Sequence, residues 1–217
     1  CTFCTDGSDL VNQVNLFGLK RIEDELKYIS NKVPENIHSM TISDLNFGMY
    51  ARDLEVCKII SNCQTRYDYP KIIQTTTGKN QKEKVIQSVK LLNGALRLMM
   101  SVQSMDEQVL ENSKRSNISV DHMLDLAPVI EEEGLSTTAE VILGLPGETY
   151  ESHIKTLKNL VNAKINYVRS YTLMLINGSE MNTPEQRKKW GFQTKFRILP
   201  KDFVKLKNGK TIIEIEE

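Results

Sequence analysis

The chain has 217 residues, of which 40% are hydrophobic, and its 28 basic and 28 acidic residues give a formal net charge of zero. This length and hydrophobic content are typical of one globular domain, with an appendage at most. The even charge balance argues against a nucleic-acid-binding or membrane-surface protein, since both need a basic surface. No apolar run approaches the roughly 18 residues of a membrane span, and no signal peptide is visible. We therefore expect a cytoplasmic protein.

Hydrophobic spacing predicts helices and strands that alternate along the chain. The predicted helices are 17–32, 51–66, 81–92, 106–115, 119–133 and a segment that begins at 148–149. The predicted strands are 40–43, 71–76, 96–102, 138–143 and 167–176. Such alternation indicates a parallel sheet, either a barrel or a doubly wound layer. The tail, 181–217, has the pattern of a small β appendage, in which Asn208-Gly209 predicts a hairpin turn.

The chain opens with Cys1-Thr2-Phe3-Cys4, two thiols at CxxC spacing. Two such thiols can hold a metal or work as a dithiol–disulfide couple. A zinc site needs a second pair of ligands, and the other two cysteines and the three histidines show no ligand spacing. We expect Cys57 and Cys63 to be ordinary half-buried helix residues, and His122 and His153 to lie on the surface.

Two later segments have polar or glycine-rich patterns at the ends of predicted strands. Ser101 and Gln103 alternate on an otherwise apolar strand, so both side chains face one way and need hydrogen-bond partners. The segment 142–149, Ile-Leu-Gly-Leu-Pro-Gly-Glu-Thr, joins a strand to a helix, and its glycines permit close backbone approach to a ligand. Each has a structural alternative, which is mutual hydrogen bonding inside a barrel or a plain strand-to-helix turn.

Together these segments resemble the radical S-adenosylmethionine (SAM) superfamily. Residues 1–4 resemble the end of its CxxxCxxC cluster loop, 101–104 are similar to its fourth-strand region, and 142–149 resemble its GLPGET loop. Residues 43–48 and 77–80 look like the branch that carries a cobalamin-binding domain. The resemblance implies an α/β fold: a partial TIM-type (β/α)6 barrel over 1–180 with a β-rich extension over 181–217. It also implies that the first barrel strand and one cluster cysteine precede residue 1.

The resemblance assigns the metal ligands and the cofactors. Cys1 and Cys4 would bind a [4Fe–4S] cluster whose open iron chelates SAM, and cobalamin would be a further cofactor. One electron from the cluster would cleave SAM to methionine and a 5′-deoxyadenosyl radical. The electron donor would be a protein such as flavodoxin or ferredoxin. The substrate class, small molecule, lipid or peptide, stays open, and no catalytic residue is assigned.

Contacts to the adenine of SAM are implied at two places. Phe3, just before the second cysteine, would be an adenine neighbour, although simple packing accounts for it equally well. Ile142 would cover the adenine from the end of its strand. Gly144, two residues later, would let the backbone approach the ligand closely.

Contacts to the polar part of SAM are implied on other strand ends. Ser101 and Gln103 would meet the ribose or the carboxylate. Arg115 would pair with the carboxylate, and an ordinary helix-end cation is the alternative. Asp44 and Asn46 stand where the superfamily usually has a Gly-Gly-Glu segment for the SAM amino group. That segment is absent here, and both residues can instead cap a strand-to-helix turn.

Two other functions stay open from the sequence. A barrel that has lost its cluster can serve as a binding scaffold. A dithiol oxidoreductase or zinc protein would depend on Cys1 and Cys4 alone.

Overall fold

The computed structural model describes residues 1–5, 14–78, 81–116, 132, 134, 136–198 and 214–217. Its helices are α1 (Leu19–Lys32), α2 (Ala51–Tyr67), α3 (Lys82–Leu91), α4 (Glu107–Asn112), α5 (Tyr150–Asn162) and α6 (Pro184–Trp190). Its strands are β1 (Ser39–Thr41), β2 (Ile72–Gln74), β3 (Leu98–Gln103), β4 (Thr137–Leu143), β5 (Tyr167–Thr172), β6 (Phe196–Ile198) and β7 (Glu214–Glu216). The predicted helix over 119–133, apart from Glu132, lies outside the described residues, as do His122 and the Asn208-Gly209 turn.

The first five strands run parallel to one another. β1 pairs with β2, and β4 lies between β3 and β5. A parallel bridge from Ile73 to Leu96 links β2 to the segment that enters β3. The prediction of alternating helices and parallel strands is confirmed. Because all five strands point the same way, their carboxyl ends meet at one edge, where the loops of such folds carry the functional groups.

The two faces of β3, β4 and β5 differ in character. One face packs against the helices: Ala139 and Val141 are fully buried with Met100, Val102 and Leu160. Side chains alternate along a strand, so the residues between these point to the opposite side. We call that side the inner face; in β3, β4 and β5 it carries Met99, Ser101, Thr138, Glu140, Ile142, Tyr167, Arg169 and Tyr171.

A second core fills the space between α1, α2 and α3. Cys57 and Cys63 are both buried in it, beside Ile60, Val85 and Val89. Burial raises the pKa of the Cys57 thiol to about 11. Both cysteines are therefore packing residues of helix α2, as the sequence predicts, but they are buried rather than half-buried because α1 and α3 cover them.

The C-terminal strands pair in antiparallel fashion and reach back toward β5. Glu216 of β7 accepts a backbone hydrogen bond from Leu175 at 2.8 Å, just beyond the end of β5. Its carboxylate accepts hydrogen bonds from both terminal nitrogens of Arg187 in α6, one of them at 2.7 Å, and from Thr194 Oγ1. This segment is thus tied to the carboxyl edge of the parallel strands.

Candidate active site

The cysteine loop, residues 1–4, is fastened by Thr2, one of the two residues between the cysteines. Thr2 is 2% exposed, and its N–H and Oγ1 both donate to the carbonyl of Ser113, at 3.1 and 3.3 Å. The N–H of Met181 donates to the carbonyl of Thr2 at 2.7 Å. Cys1 is exposed and Cys4 is half-buried. The backbone is therefore fixed at the carboxyl edge while both thiols stay accessible.

Arg115 joins this loop to β3. Its Nη1 donates to Sγ of Cys1 at 3.2 Å, and its Nη2 donates to the carbonyl of Ser101. The guanidinium lies 6.0 Å from the ring centroid of Phe3. Burial lowers the pKa of Arg115, and the nearby Cys4 acts in the opposite direction. Positive charge is thus held beside the sulfur atoms, where it would balance the negative charge of thiolates that bind a metal.

The end of β3 departs from the regular alternation that the sequence predicts. Gln103 has a φ of 65°, and the strand pairing shifts from Ser101 with Glu140 to Gln103 with Val141. The hydroxyl of Ser101 donates to Oε2 of Glu140 at 3.3 Å. Among the described residues, the buried Oε1 of Gln103 has no hydrogen-bond partner. A buried acceptor of this kind suits a ligand hydroxyl or N–H.

A cavity of about 190 Å³ opens at the carboxyl ends of β3, β4 and β5. Its walls are Phe3, Gln103, Glu140, Ile142, Tyr171, Thr172, Leu173, Met174 and Ile176. It is smaller than the roughly 300 Å³ at which ligand pockets usually begin. A cavity of this size has room for part of a ligand, and the remainder of such a ligand would extend along the inner face.

Three of the residues that the sequence analysis gives as SAM contacts line this cavity, namely Phe3, Gln103 and Ile142. Sequence reasoning missed Glu140 and Tyr171, which line it as well. The signal for Glu140 was present, because it is a lone acid two residues before Ile142 on an otherwise apolar strand. Tyr171 has no comparable signal.

A buried carboxylate organises the loop after β4. Glu148 Oε2 accepts the N–H of Gly144 at 2.7 Å, and Oε1 hydrogen-bonds Nδ1 of His153 at 3.0 Å. The side chains of Glu148 and His153 are 2% and 9% exposed. The predicted surface position of His153 is therefore wrong, because the first turn of α5 carries the imidazole under the loop. Gly144, at a φ of 89°, starts the turn that leaves Ile142 at the cavity wall.

Asp44 and Asn46 lie exposed after β1 and are not among the lining residues of the cavity. Oδ1 of Asp44 accepts the N–H of Asn46 at 2.8 Å. The carbonyl of Asn46 accepts the N–H of Met49 at 3.3 Å, and that of Asp44 accepts the hydroxyl of Thr75 at 3.2 Å. This is the turn-capping geometry that was the structural alternative for these two residues.

Cys1 and Cys4 are the metal-binding candidates. Across the described ranges, no group of three or more His, Cys, Asp or Glu side chains is placed to hold a metal ion. Two accessible thiols on one short loop, next to a guanidinium, fit part of the ligand set of an iron–sulfur cluster. None of the helices in the described part of the chain is long and apolar enough to cross a membrane.

Two curated proteins are similar to most of this chain. The cobalamin-dependent radical SAM methyltransferase TokK of Streptomyces tokunonensis is 30% identical over 198 residues. The 2-(S-pantetheinyl)-carbapenam-3-carboxylate methyltransferase of Streptantibioticus cattleyicolor is 29% identical over 198 residues. Each alignment covers 89% of this chain and 29% of the relative, so the chain spans less than a third of their length.

Solved structures share the fold. The radical SAM methyltransferase TsrM of Kitasatospora setae, with cobalamin and a [4Fe–4S] cluster bound, has a TM-score of 0.71 at 12% identity, over 99% of this chain and 46% of its own. The radical SAM enzyme coproporphyrinogen III oxidase of Escherichia coli has a TM-score of 0.57 at 16% identity, over 81% and 46%. The partial-barrel fold is thereby confirmed. Residues 1–185 match the Radical SAM superfamily, and the chain belongs to that superfamily.

Proposed function

We propose that this chain is the catalytic core of a cobalamin-dependent radical SAM methyltransferase. The observation that carries the proposal is the contact of Arg115 with both the cysteine loop and β3, which sets the thiols beside the cavity. The names of the two curated relatives, both methyltransferases, support the reaction class. Cobalamin is proposed because TokK is named as cobalamin-dependent and TsrM was solved with cobalamin bound.

Cys1 and Cys4 would hold two irons of a [4Fe–4S] cluster, and their sequence spacing and accessibility suit that role. When bound, the cluster supplies the electron that splits SAM to methionine and a 5′-deoxyadenosyl radical. Arg115 has five N–H donors, so it can bind the SAM carboxylate while it keeps its bonds to Cys1 and Ser101. Its partly dehydrated position strengthens such a charge-assisted contact.

The cavity would take the adenosyl part of SAM. Phe3 and Ile142 offer apolar surface for the adenine, and Gly144 leaves room for close backbone approach. The unpartnered Oε1 of Gln103 and the carboxylate of Glu140 can accept hydrogen bonds from ribose hydroxyls.

The remaining assignments of the sequence complete the proposal. Asp44 and Asn46 stay the proposed contacts for the SAM amino group, because they lie at the carboxyl end of β1. Ser101 acts through its carbonyl, which holds Arg115. We propose 1–180 as the barrel and 181–217 as an extension beside its open edge. The reductant would be a cytoplasmic protein such as flavodoxin or ferredoxin.

The test is anaerobic reconstitution of the full-length protein with iron and sulfide. We expect a cluster signal by electron paramagnetic resonance after reduction, and 5′-deoxyadenosine and S-adenosylhomocysteine after addition of SAM. Cys1→Ala and Cys4→Ala should each abolish 5′-deoxyadenosine formation. Cys63→Ala is the matched control, because that thiol is buried in the helical core, and it should keep the cluster. Wild-type protein that binds no cluster would support the scaffold alternative and refute the proposal.

A further inference from the structure

The inner face of β5 carries an arginine between two tyrosines. Tyr167, Arg169 and Tyr171 occupy alternate positions of the strand and so point to one side. In the pairing of β4 with β5, Glu140 lies opposite Arg169 and Ile142 lies opposite Tyr171. Glu140, Ile142 and Tyr171 all line the cavity, which identifies the shared side as the inner face. Arg169 therefore lies about 7 Å below Tyr171 along the strand, one layer beneath the cavity.

Among the residues that the structure describes, none is placed to neutralise the charge of Arg169. Its side chain is exposed, and within the described ranges no carboxylate lies at ion-pair distance from it. The neighbouring Glu140 takes its hydrogen bond from Ser101, on the β3 side. Arg115, at the carboxyl edge above it, is engaged with Cys1 and Ser101 and serves the proposed SAM position. Arg169 thus leaves a positive charge on the inner face that the proposed SAM contacts do not need.

The two tyrosines offer flat surface on either side of this charge. Tyr167 is 51% exposed and Tyr171 is 41% exposed, although both belong to a strand of the parallel sheet. The guanidinium of Arg97 lies 4.9 Å from the ring centroid of Tyr167, at the amino-terminal end of β5. Exposed aromatic rings around one charged group are typical of a ligand-binding surface.

We propose that Arg169 anchors an acidic group of the methyl acceptor, a carboxylate or phosphate on an organic body that packs on Tyr167 and Tyr171. Guanidinium binds both kinds of anion through charge-assisted hydrogen bonds, often in pairs. The acid would then sit deep on the inner face, and the rest of the acceptor would rise toward the cavity. This inference rests on the proposed function, since it assigns the cavity above to SAM.

The experiment measures the binding of small probes to the full-length protein by ligand-observed saturation-transfer NMR. Benzoate and benzamide have the same ring and differ in charge, and phenyl phosphate carries the other acid. We expect benzoate or phenyl phosphate to bind at least about tenfold more tightly than benzamide, which is the size of one charge-assisted contact. The tighter of the two acids identifies the acidic group of the acceptor.

Arg169→Gln should remove the preference for the acid, and Arg169→Lys should keep part of it because the charge remains. Arg66→Gln is the matched control, since Arg66 also stacks on a tyrosine, Tyr67 at 5.3 Å, but on helix α2. The control should keep the full preference. Equal binding of benzoate and benzamide to wild type, binding of neither, or an equal loss in both glutamine variants would overturn the inference. Wild type that prefers the acid but forms no 5′-deoxyadenosine would instead refute the proposed function alone.

Discussion

Gly147 turns the chain between β4 and α5 against the side chain of Asn112. Its φ is 80°, a backbone conformation that favours glycine. A methyl group at this position would lie 2.6 Å from Nδ2 of Asn112, well inside van der Waals contact. That nitrogen donates to the carbonyl of Pro146 at 3.0 Å, so Asn112 cannot move without breaking a hydrogen bond. Gly147→Ala should therefore strain the loop and detach it from helix α4.

The expected loss in the free energy of unfolding of Gly147→Ala has two contributions. An alanine in the left-handed region costs about 1 kcal/mol, and the lost hydrogen bond from Asn112 costs about another 1 kcal/mol. Gly191 has a φ of 61° and nothing within 4 Å of an added methyl group, so Gly191→Ala should cost only the first amount, about 1 kcal/mol. The difference between the two variants isolates the contact with Asn112.

Urea unfolding followed by circular dichroism measures both costs. With a slope of about 2 kcal/mol per molar urea, the midpoint should fall by about 1 M for Gly147→Ala and about 0.5 M for Gly191→Ala. The double variant Gly147→Ala/Asn112→Ala should add little to Gly147→Ala, because the contact is already lost. Equal midpoints for the two single variants would refute the reasoning.

Three further outcomes are expected. His153→Ala leaves the buried Glu148 carboxylate without one partner, so it should lower the free energy of unfolding by about 2 kcal/mol and weaken SAM binding; an unchanged SAM affinity would contradict the role of this pair in holding the loop. Because burial raises the pKa of Cys57 to about 11, iodoacetamide at pH 8 should label the exposed Cys1 and spare Cys57 in the folded protein, by mass spectrometry; rapid labelling of Cys57 would contradict its burial. The hydrogen bond from Arg187, and to a smaller extent that from Thr194, lowers the pKa of Glu216. The ionised Glu216 therefore stabilises the folded protein fully above the ordinary carboxyl pKa, and this stabilisation is lost as pH falls through the lowered pKa. Glu216→Gln should reduce the fall in melting temperature from pH 5 to pH 2, and parallel curves for variant and wild type would count against this.

The parallel strands could be predicted because burial on the helix side leaves a strong sequence pattern. The run from Leu96 to Val102 and the segment from Thr138 to Leu143 are apolar enough to be read directly as buried strands. The cysteine loop and the turn around Gly144 could be predicted because few residue types meet their requirements. A thiolate ligand requires cysteine, and a positive φ favours glycine. The structure places each of them at the same edge.

The remaining features depend on contacts between distant parts of the chain. The positive φ of Gln103 arises where β3 meets β4, and no local pattern marks it. His153 has the sequence of a surface helix residue, and only the position of Glu148 explains its burial. Arg169 and Tyr171 look like ordinary exposed strand residues until the register with β4 assigns them to the inner face. Tertiary pairing, rather than residue type, decides these positions.

The attachment of Thr2 has a consequence for the order of assembly. Its partner Ser113 is 111 positions away, and Met181 is farther still, so the contacts that fasten Thr2 among the described residues are long-range. Such contacts form late, because the entropy of closing a long loop must be offset by structure already in place. The thiols therefore reach their final position after α4 and the turn before α6 have docked. In a zinc finger, metal binding drives folding. Here the order would be reversed: the barrel would fold first, and iron would then bind to cysteines that are already in position.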